Sequence, residues 1–167
     1  MSASAHPKMA MRPFLPADAP LLAEIFRASI AELTGDDYSE AQQEAWSAAA
    51  DDEKAFGAKL AKQLTLVGTL NGSPVGFIAL EGADKIDMLY VHPAAAGQGV
   101  GAMLADAIEK LAASRGAGQL KVDASDSAAE FFKKRGYVAQ QRNSISRGDE
   151  WLANTTMQKQ LAKREGP

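Results

Sequence analysis

Three glycines alternate at Gly97, Gly99 and Gly101, between the strand-like run "KIDMLYVHP" and the amphipathic run "VGAMLADAIEKL". A helix N-terminus leaves backbone N–H groups unpaired and carries the positive end of the helix dipole. Glycines ahead of it remove Cβ atoms and permit positive φ, so those N–H groups can close around an anion. The turn from Ala96 to Gly101 therefore reads as a phosphate cradle, against the plainer reading of a loop rich in small residues. The second chemistry-bearing residue is Asp87, an acid in the middle of an otherwise apolar strand. Such a group is costly to bury unless it is solvated or paired. It can act as a general base, or pair with Lys85 on the same strand face.

Several phosphate ligands are possible. A Walker-type loop would continue Gly-Lys-Ser/Thr, but Gly101 is followed by Ala102-Met103, which excludes it. The dinucleotide fingerprint is a fairer rival. Gly97-x-Gly99-x-x-Ala102 matches its loose form, and Asp123 ends the next strand about 20 residues on, where a ribose-binding acid would sit. Against it, the residues "HPAAA" separate the strand from Gly97, and the match lies mid-chain behind an antiparallel hairpin.

The elements that must position these residues follow from periodicity. A short strand near Met9–Arg12 precedes a helix whose Leu22, Ile25, Phe26, Ser29, Ile30 and Leu33 share a face, with Asp18 as N-cap and Gly35 as stop. Further helices are expected from Ser39 and from Asp51. "LTLVGTL" and "PVGFIAL" flank Asn71-Gly72, a strong hairpin signal. "KIDMLYV" is a strand. Val100, Met103, Leu104, Ala107, Ile108 and Leu111 form the apolar stripe of the next helix. "QLKVDAS" is a strand, "SDSAAEFFKKRG" a helix, and the last segment a hairpin around Arg147-Gly148-Asp149. This order predicts one mixed α/β or α+β layer domain over residues 1–167. The tails at 1–8 and 162–167 are expected to be mobile.

Composition narrows the function classes. The net charge is −3 and no basic block occurs, so nucleic acid is not an expected partner. There is no cysteine, which excludes disulfides, thiolate metal sites and a cysteine nucleophile, and fits the cytoplasm. No run approaches the roughly 20 apolar residues of a membrane span, and "MSASAHPKMA" lacks the apolar core of a signal peptide. His6 lies in the tail, His92 precedes Pro93 at a strand end, and no His/carboxylate cluster has metal spacing, so no metal is expected.

"LYVHPAAAGQGVGAML", followed by a strand and then "FFKKRGY", resembles the GCN5-related N-acetyltransferase (GNAT) superfamily, and within it the small bacterial YafP-type members. The resemblance is strongest over residues 85–138. It implies a central mixed sheet of six to seven strands flanked by helices, splayed between the strands at 85–92 and 119–123. It further implies acetyl-CoA as cosubstrate, its pyrophosphate held at Gly97, Gln98, Gly99, Val100 and Gly101. Ala96 stands where the family motif usually has Gln or Arg. Main-chain groups of Leu89, Tyr90 and Val91 would pair with the pantetheine arm like an added strand, and one N–H would stabilise the oxyanion. Asp87 matches the family's base or water-holding position. The family's tyrosine acid falls on Phe132, in Ala128-x-x-Phe131-Phe132, and Phe cannot donate a proton. Substitutes are Tyr90, Tyr38, Ser125 or water, or the thiolate leaves unprotonated. Ser125 occupies a position that often touches pantetheine, and is equally a natural helix N-cap. Phe131 and Phe132 also read as ordinary core.

For the acceptor, Tyr38 and Trp46, about two helical turns apart, are expected to share a face, with Trp151 and Asn154 as further wall residues. Asp36, Asp37 and Asp87 would suit a cationic amine. The resulting expectation is direct acetyl transfer to a small-molecule or peptide amine by an enzyme that can form a homodimer. The alternatives are a CoA-binding sensor or scaffold that has lost catalysis, and a dinucleotide-binding protein dependent on Asp123.

Overall fold

The computed structural model describes residues 8–161. The expected mobile tails lie outside that range apart from Lys8. Its N–H donates to Asn71 Oδ1 at 2.8 Å and its carbonyl accepts from Asn71 N at 2.8 Å, so this residue is tied down. The elements run β1 (Met9–Pro13), α1 (Ala19–Leu33), α2 (Glu40–Ser47), α3 (Glu53–Lys62), β2 (Leu64–Leu70), β3 (Ser73–Glu81), β4 (Lys85–Val91), α4 (Val100–Ser114), β5 (Gln119–Ser125), α5 (Ala129–Lys134), β6 (Val138–Arg147) and β7 (Glu150–Gln160). No helix among the described residues is long and apolar enough to cross a membrane.

Local chemistry sets most boundaries. Ser39 caps α2 by accepting from Gln42 N at 3.1 Å while Gln42 Oε1 accepts from Ser39 N at 2.9 Å, a reciprocal capping box. Asp52 caps α3 through Ala55 N at 3.0 Å. Asp18 precedes α1 as expected, but its carboxylate does not cap that helix. It accepts from Leu15 N at 2.8 Å and forks onto Arg12 at 2.8 and 2.9 Å, binding β1 to the head of α1. Asn71-Gly72 turns the β2–β3 hairpin with both residues left-handed.

The seven strands form one sheet in the order β1-β2-β3-β4-β5-β7-β6. Every neighbouring pair is antiparallel except β4–β5. One face packs on α1 and α3 through Leu22, Ile25, Phe26, Ile30, Phe56 and Leu60, against Val67, Phe77, Ala79 and Met88. The other packs on α4 and α5 through Val100, Leu104, Ile108 and Phe132, against Leu66, Ile78, Leu80, Ile86 and Leu120. Val100 sits over bare backbone: a Cβ on Gly68 would lie 3.0 Å from its Cγ1, and one on Gly76 at 3.1 Å. That clearance lets the head of α4 approach the sheet. Leu33, predicted for the buried face of α1, is 44% exposed, because the helix ends there at the rim of a cavity.

A buried polar cluster joins α4 to α5 and β7. Glu109 Oε1 pairs with Lys159 at 2.9 Å and Arg135 at 3.2 Å, and Oε2 accepts from Tyr137 at 3.0 Å. Burial by itself would raise the Glu109 carboxyl, but hydrogen bonds from Lys159 and Arg135 outweigh it and hold the group below its ordinary value of 4.5. The unfolded chain therefore takes up this proton first. The stability it contributes is present above about pH 4.5 and is lost as pH falls through the folded value. Glu109→Ala should cost about 3 kcal/mol in urea unfolding at pH 7 by stranding its donors, and Glu109→Gln should flatten the acid limb of stability against pH.

Candidate active site

The sheet parts at its centre. β4 and β5 pair only at Lys85↔Lys121 and Ile86↔Val122, after which the strands separate. β3 follows β4 to Val91 on one side and β7 follows β5 to Ser125 on the other, so only the edges facing each other lack strand partners. The register of β3 on β4 steps from Leu80↔Ile86 to Ala79↔Met88, leaving Asp87 opposite no residue of β3. This bulge also switches faces: Ile86 belongs to the α4 core and Met88 to the α1–α3 core.

The glycine turn lies at the open end of the split. Gly97 (φ 78) and Gly99 (φ 92) are left-handed, a conformation that costs other residues energy. Gly101 differs: it is an ordinary helical residue of α4, where a Cβ would meet Val91 and Phe131 at 3.7 Å. The N–H groups of Gly97, Gly99, Val100 and Gly101 have no acceptor among the described residues. Gln98 N instead turns back to Ala95 O at 3.4 Å. A Cβ on Gly97 would have nothing within 4 Å, so the space over the turn is open. Directed N–H groups with open space before them fit a phosphate.

Two cavities of about 250 and 230 Å³ meet across the split, sharing Trp46, Leu89, Tyr90, Ser125, Ala128 and Phe132. The second reaches Val91, Gly101 and Phe131, toward the glycine turn. The first contains Asp87, Lys85, Asp123, Arg147 and Asn154. Asp87 does not pair with Lys85. Its Oδ2 accepts from Gln63 Nε2 at 3.0 Å and lies 3.2 Å from Lys59 Nζ, both supplied by the C-terminal end of α3, while Oδ1 has no hydrogen-bond partner among the described residues. Gln63 Oε1, beside it, is buried and unpartnered. Tyr90 packs edge-on against Phe26 (4.7 Å between ring centroids), and its hydroxyl accepts from Trp46 Nε1 at 3.2 Å. Burial pushes the Tyr90 phenol well above its ordinary value, a shift that the Trp46 bond only partly offsets.

A family model for the acetyltransferase (GNAT) domain matches residues 34–161. The chain belongs to the GNAT acetyltransferase family. It is 32% identical over 148 residues to the uncharacterised N-acetyltransferase YafP of Escherichia coli, covering 88% of this chain and 93% of that one. The crystal structure of a GCN5-related N-acetyltransferase from Rhodopseudomonas palustris superposes with a TM-score of 0.90 at 62% identity, over 96% of this chain and 99% of that one. PaiA N-acetyltransferase of Thermoplasma acidophilum, solved with coenzyme A, shares the fold at TM-score 0.74 and 19% identity, over 92% and 99%. GNAT acetyltransferases use acetyl-CoA. The seven-stranded sheet and its split are those the resemblance implied.

Among the expected site residues of this GNAT domain, Asp87, Leu89, Tyr90, Ser125, Phe132, Tyr38, Trp46 and Asn154 line the first cavity. Trp151 lines neither: it is 63% exposed, and its carbonyl accepts from Gln42 Nε2 at 2.7 Å. Strand alternation directs Leu152 and Asn154 inward and Trp151 outward. Tyr38 and Trp46 do meet (5.3 Å between centroids), but not on one helix face, because Tyr38 precedes α2. The Tyr38 hydroxyl donates to Ala153 O at 2.6 Å and accepts from Asp126 N at 2.9 Å, so it bridges the ends of β5 and β7 and its proton is committed. Ser125 caps a turn by accepting from Ala128 N at 3.1 Å, and α5 starts later, at Ala129. Phe132 is a core ring, stacked edge-on with Tyr137 at 5.1 Å between centroids. Asp123 is engaged by Thr156 and Lys85, and a sheet with a single parallel pair among the described residues is not the parallel array of a dinucleotide fold. Sequence reasoning missed Arg147, Gln63 and Lys59, which no local pattern marks. Tyr38→Phe should cost about 1–3 kcal/mol by leaving Asp126 N and Ala153 O unpaired, and Gly99→Ala about 1–2 kcal/mol through its positive φ, both read by urea denaturation.

Proposed function

We propose that this GNAT enzyme moves the acetyl group of acetyl-CoA directly to a small-molecule or peptide amine, without an acyl-enzyme. The observation that carries this reading is the parting of β4 from β5 with unpaired loop N–H groups at its open end. Bound there, acetyl-CoA supplies a thioester as the electrophile. The N–H groups of Gly97, Gly99, Val100 and Gly101 hold the pyrophosphate, without a side-chain contact from Ala96. The open edge of β4 at Leu89, Tyr90 and Val91 pairs with the pantetheine arm, and one of its N–H groups stabilises the oxyanion. Ser125, Ala128, Phe131 and Phe132 form the facing wall.

Asp87 is the base. Lys59 and Gln63 fix one carboxylate oxygen and leave Oδ1 to take the amine proton, directly or through water. An acceptor amine of the lysine type has a pKa of about 10, so it must lose that proton before it can attack. Tyr90, with Trp46 donating to its oxygen, keeps its proton and acts as a hydrogen-bond donor where the cavities meet. No tyrosine stands at position 132, so the thiolate leaves as the anion and takes its proton from solvent. Tyr38 and Trp46 shape the acceptor side, Tyr38 with its ring alone. We assign the reaction to the cytoplasm, which the absence of cysteine fits.

The buried Phe132 also favours a second reading, a CoA-binding module without turnover. Thermal unfolding and an amine screen separate the two. Acetyl-CoA at 100 Kd should stabilise the fold by about 2.7 kcal/mol, and NAD should not. With the enzyme reading, Asp87→Asn lowers kcat about 10²–10⁴-fold while retaining that stabilisation. Stabilisation with no turnover on any amine would establish the module instead.

A further inference from the structure

Four charged residues line the cavity beside Tyr90, and three of them are paired. Asp87 lies 3.2 Å from Lys59, and Lys85 lies 3.3 Å from Asp123. The fourth, Arg147 at the end of β6, has no ion-pair partner among the described residues. Among the described residues its Nη1 donates only to the neighbouring Ser146 carbonyl, at 3.1 Å. Glu150 stands directly across the hairpin in register, yet does not pair with it. Arg142 on the same strand, by contrast, is engaged by Asp126 in the turn after β5. Arg147 and Asp87 both bear electrostatically on the Tyr90 hydroxyl, with opposite signs. The cavity wall thus includes a carboxylate and a solvent-exposed arginine that has no ion-pair partner among the described residues. A guanidinium fork matches a carboxylate bidentately.

Resting on the acetyl-transfer reading, we propose that the acceptor is a small amine that also carries a carboxylate. Arg147 holds that carboxylate, and the amino group is delivered to the Asp87 end of the cavity. The occupant is then of amino-acid type, and an alkylamine without a carboxylate is a poorer substrate.

The test uses matched pairs, phenylalanine with phenethylamine and γ-aminobutyrate with propylamine. Release of CoA thiol is followed with the whole protein and acetyl-CoA. The acid of each pair should show a kcat/KM about tenfold or more above its decarboxylated partner, carried mainly in KM. Arg147→Met should bring that ratio toward one, and Arg147→Lys should keep part of it. Equal or reversed ratios in the wild-type protein would overturn the proposal. So would a preference that survives Arg147→Met. If no amine is turned over, the acetyl-transfer reading falls separately. Calorimetric titration of the same pairs into the CoA-loaded protein then decides the binding claim: tighter binding of the acids, lost in Arg147→Met, upholds it, and equal or undetectable binding of both members overturns it.

Discussion

The structure depends on a sheet that is continuous at one end and parted at the other. β4 and β5 share two residue pairs and then diverge, although β3 follows β4 to Val91 and β7 follows β5 to Ser125 on their outer sides. Unpaired backbone inside a protein is costly, so a gap of this kind persists only where surrounding structure holds it open. Here the two halves share the core under α4 and differ on the opposite face. β1 to β4 carry α1 and α3 on one face, while β5, β7 and β6 form a second antiparallel unit. Phe132 and Leu89 line the space between them, and the Tyr38 hydroxyl fixes the end of the β5–β7 ladder by bonding to Asp126 N and Ala153 O.

The bulge at Asp87 couples this architecture to chemistry. An uninterrupted strand would place Ile86 and Met88 on the same face. The bulge instead gives Ile86 to one core and Met88 to the other. Asp87, released from cross-strand pairing, meets Lys59 and Gln63 at the end of α3. The same stretch of β4 that loses its partner strand therefore carries an acid held by two donors, followed within a few residues by Tyr90 in an aromatic cluster with Phe26, Phe77 and Trp46. Backbone edge, carboxylate and phenol come together because one strand changes its pairing.

The helix that carries the glycine turn is held from behind by different means. Val100 docks on the side-chain-free backbone of Gly68 and Gly76, and farther along α4 Glu109 gathers Arg135, Lys159 and Tyr137. These contacts fix both the depth and the axial position of the helix whose first N–H groups face the split. A polar cluster of this kind tolerates only a narrow set of geometries, because each member left unpaired would carry a desolvation cost. It therefore specifies where α4 lies as well as contributing to stability.

What the sequence determined by itself is what short-range chemistry encodes. Asn71-Gly72 demanded a tight hairpin, Ser39 and Gln42 a capped helix start, and the apolar stripe from Val100 to Leu111 a helix against the sheet. Glycines marked the turn between β4 and α4, although only Gly97 and Gly99 of the three proved to have positive φ. With the family resemblance, these features were enough to anticipate the mixed sheet and its split. The tertiary structure decided which charges meet. Lys59 reached Asp87, Lys85 turned to Asp123, Tyr38 spent its hydroxyl on β7, and Trp151 faced solvent while Arg147 entered the cavity wall. Backbone propensity and side-chain periodicity act over a few residues, whereas these partners are brought together from elements far apart in the chain. Their identity depends on strand order, on the bulge at Asp87 and on the pleat of β7, and no local pattern in the sequence encodes those.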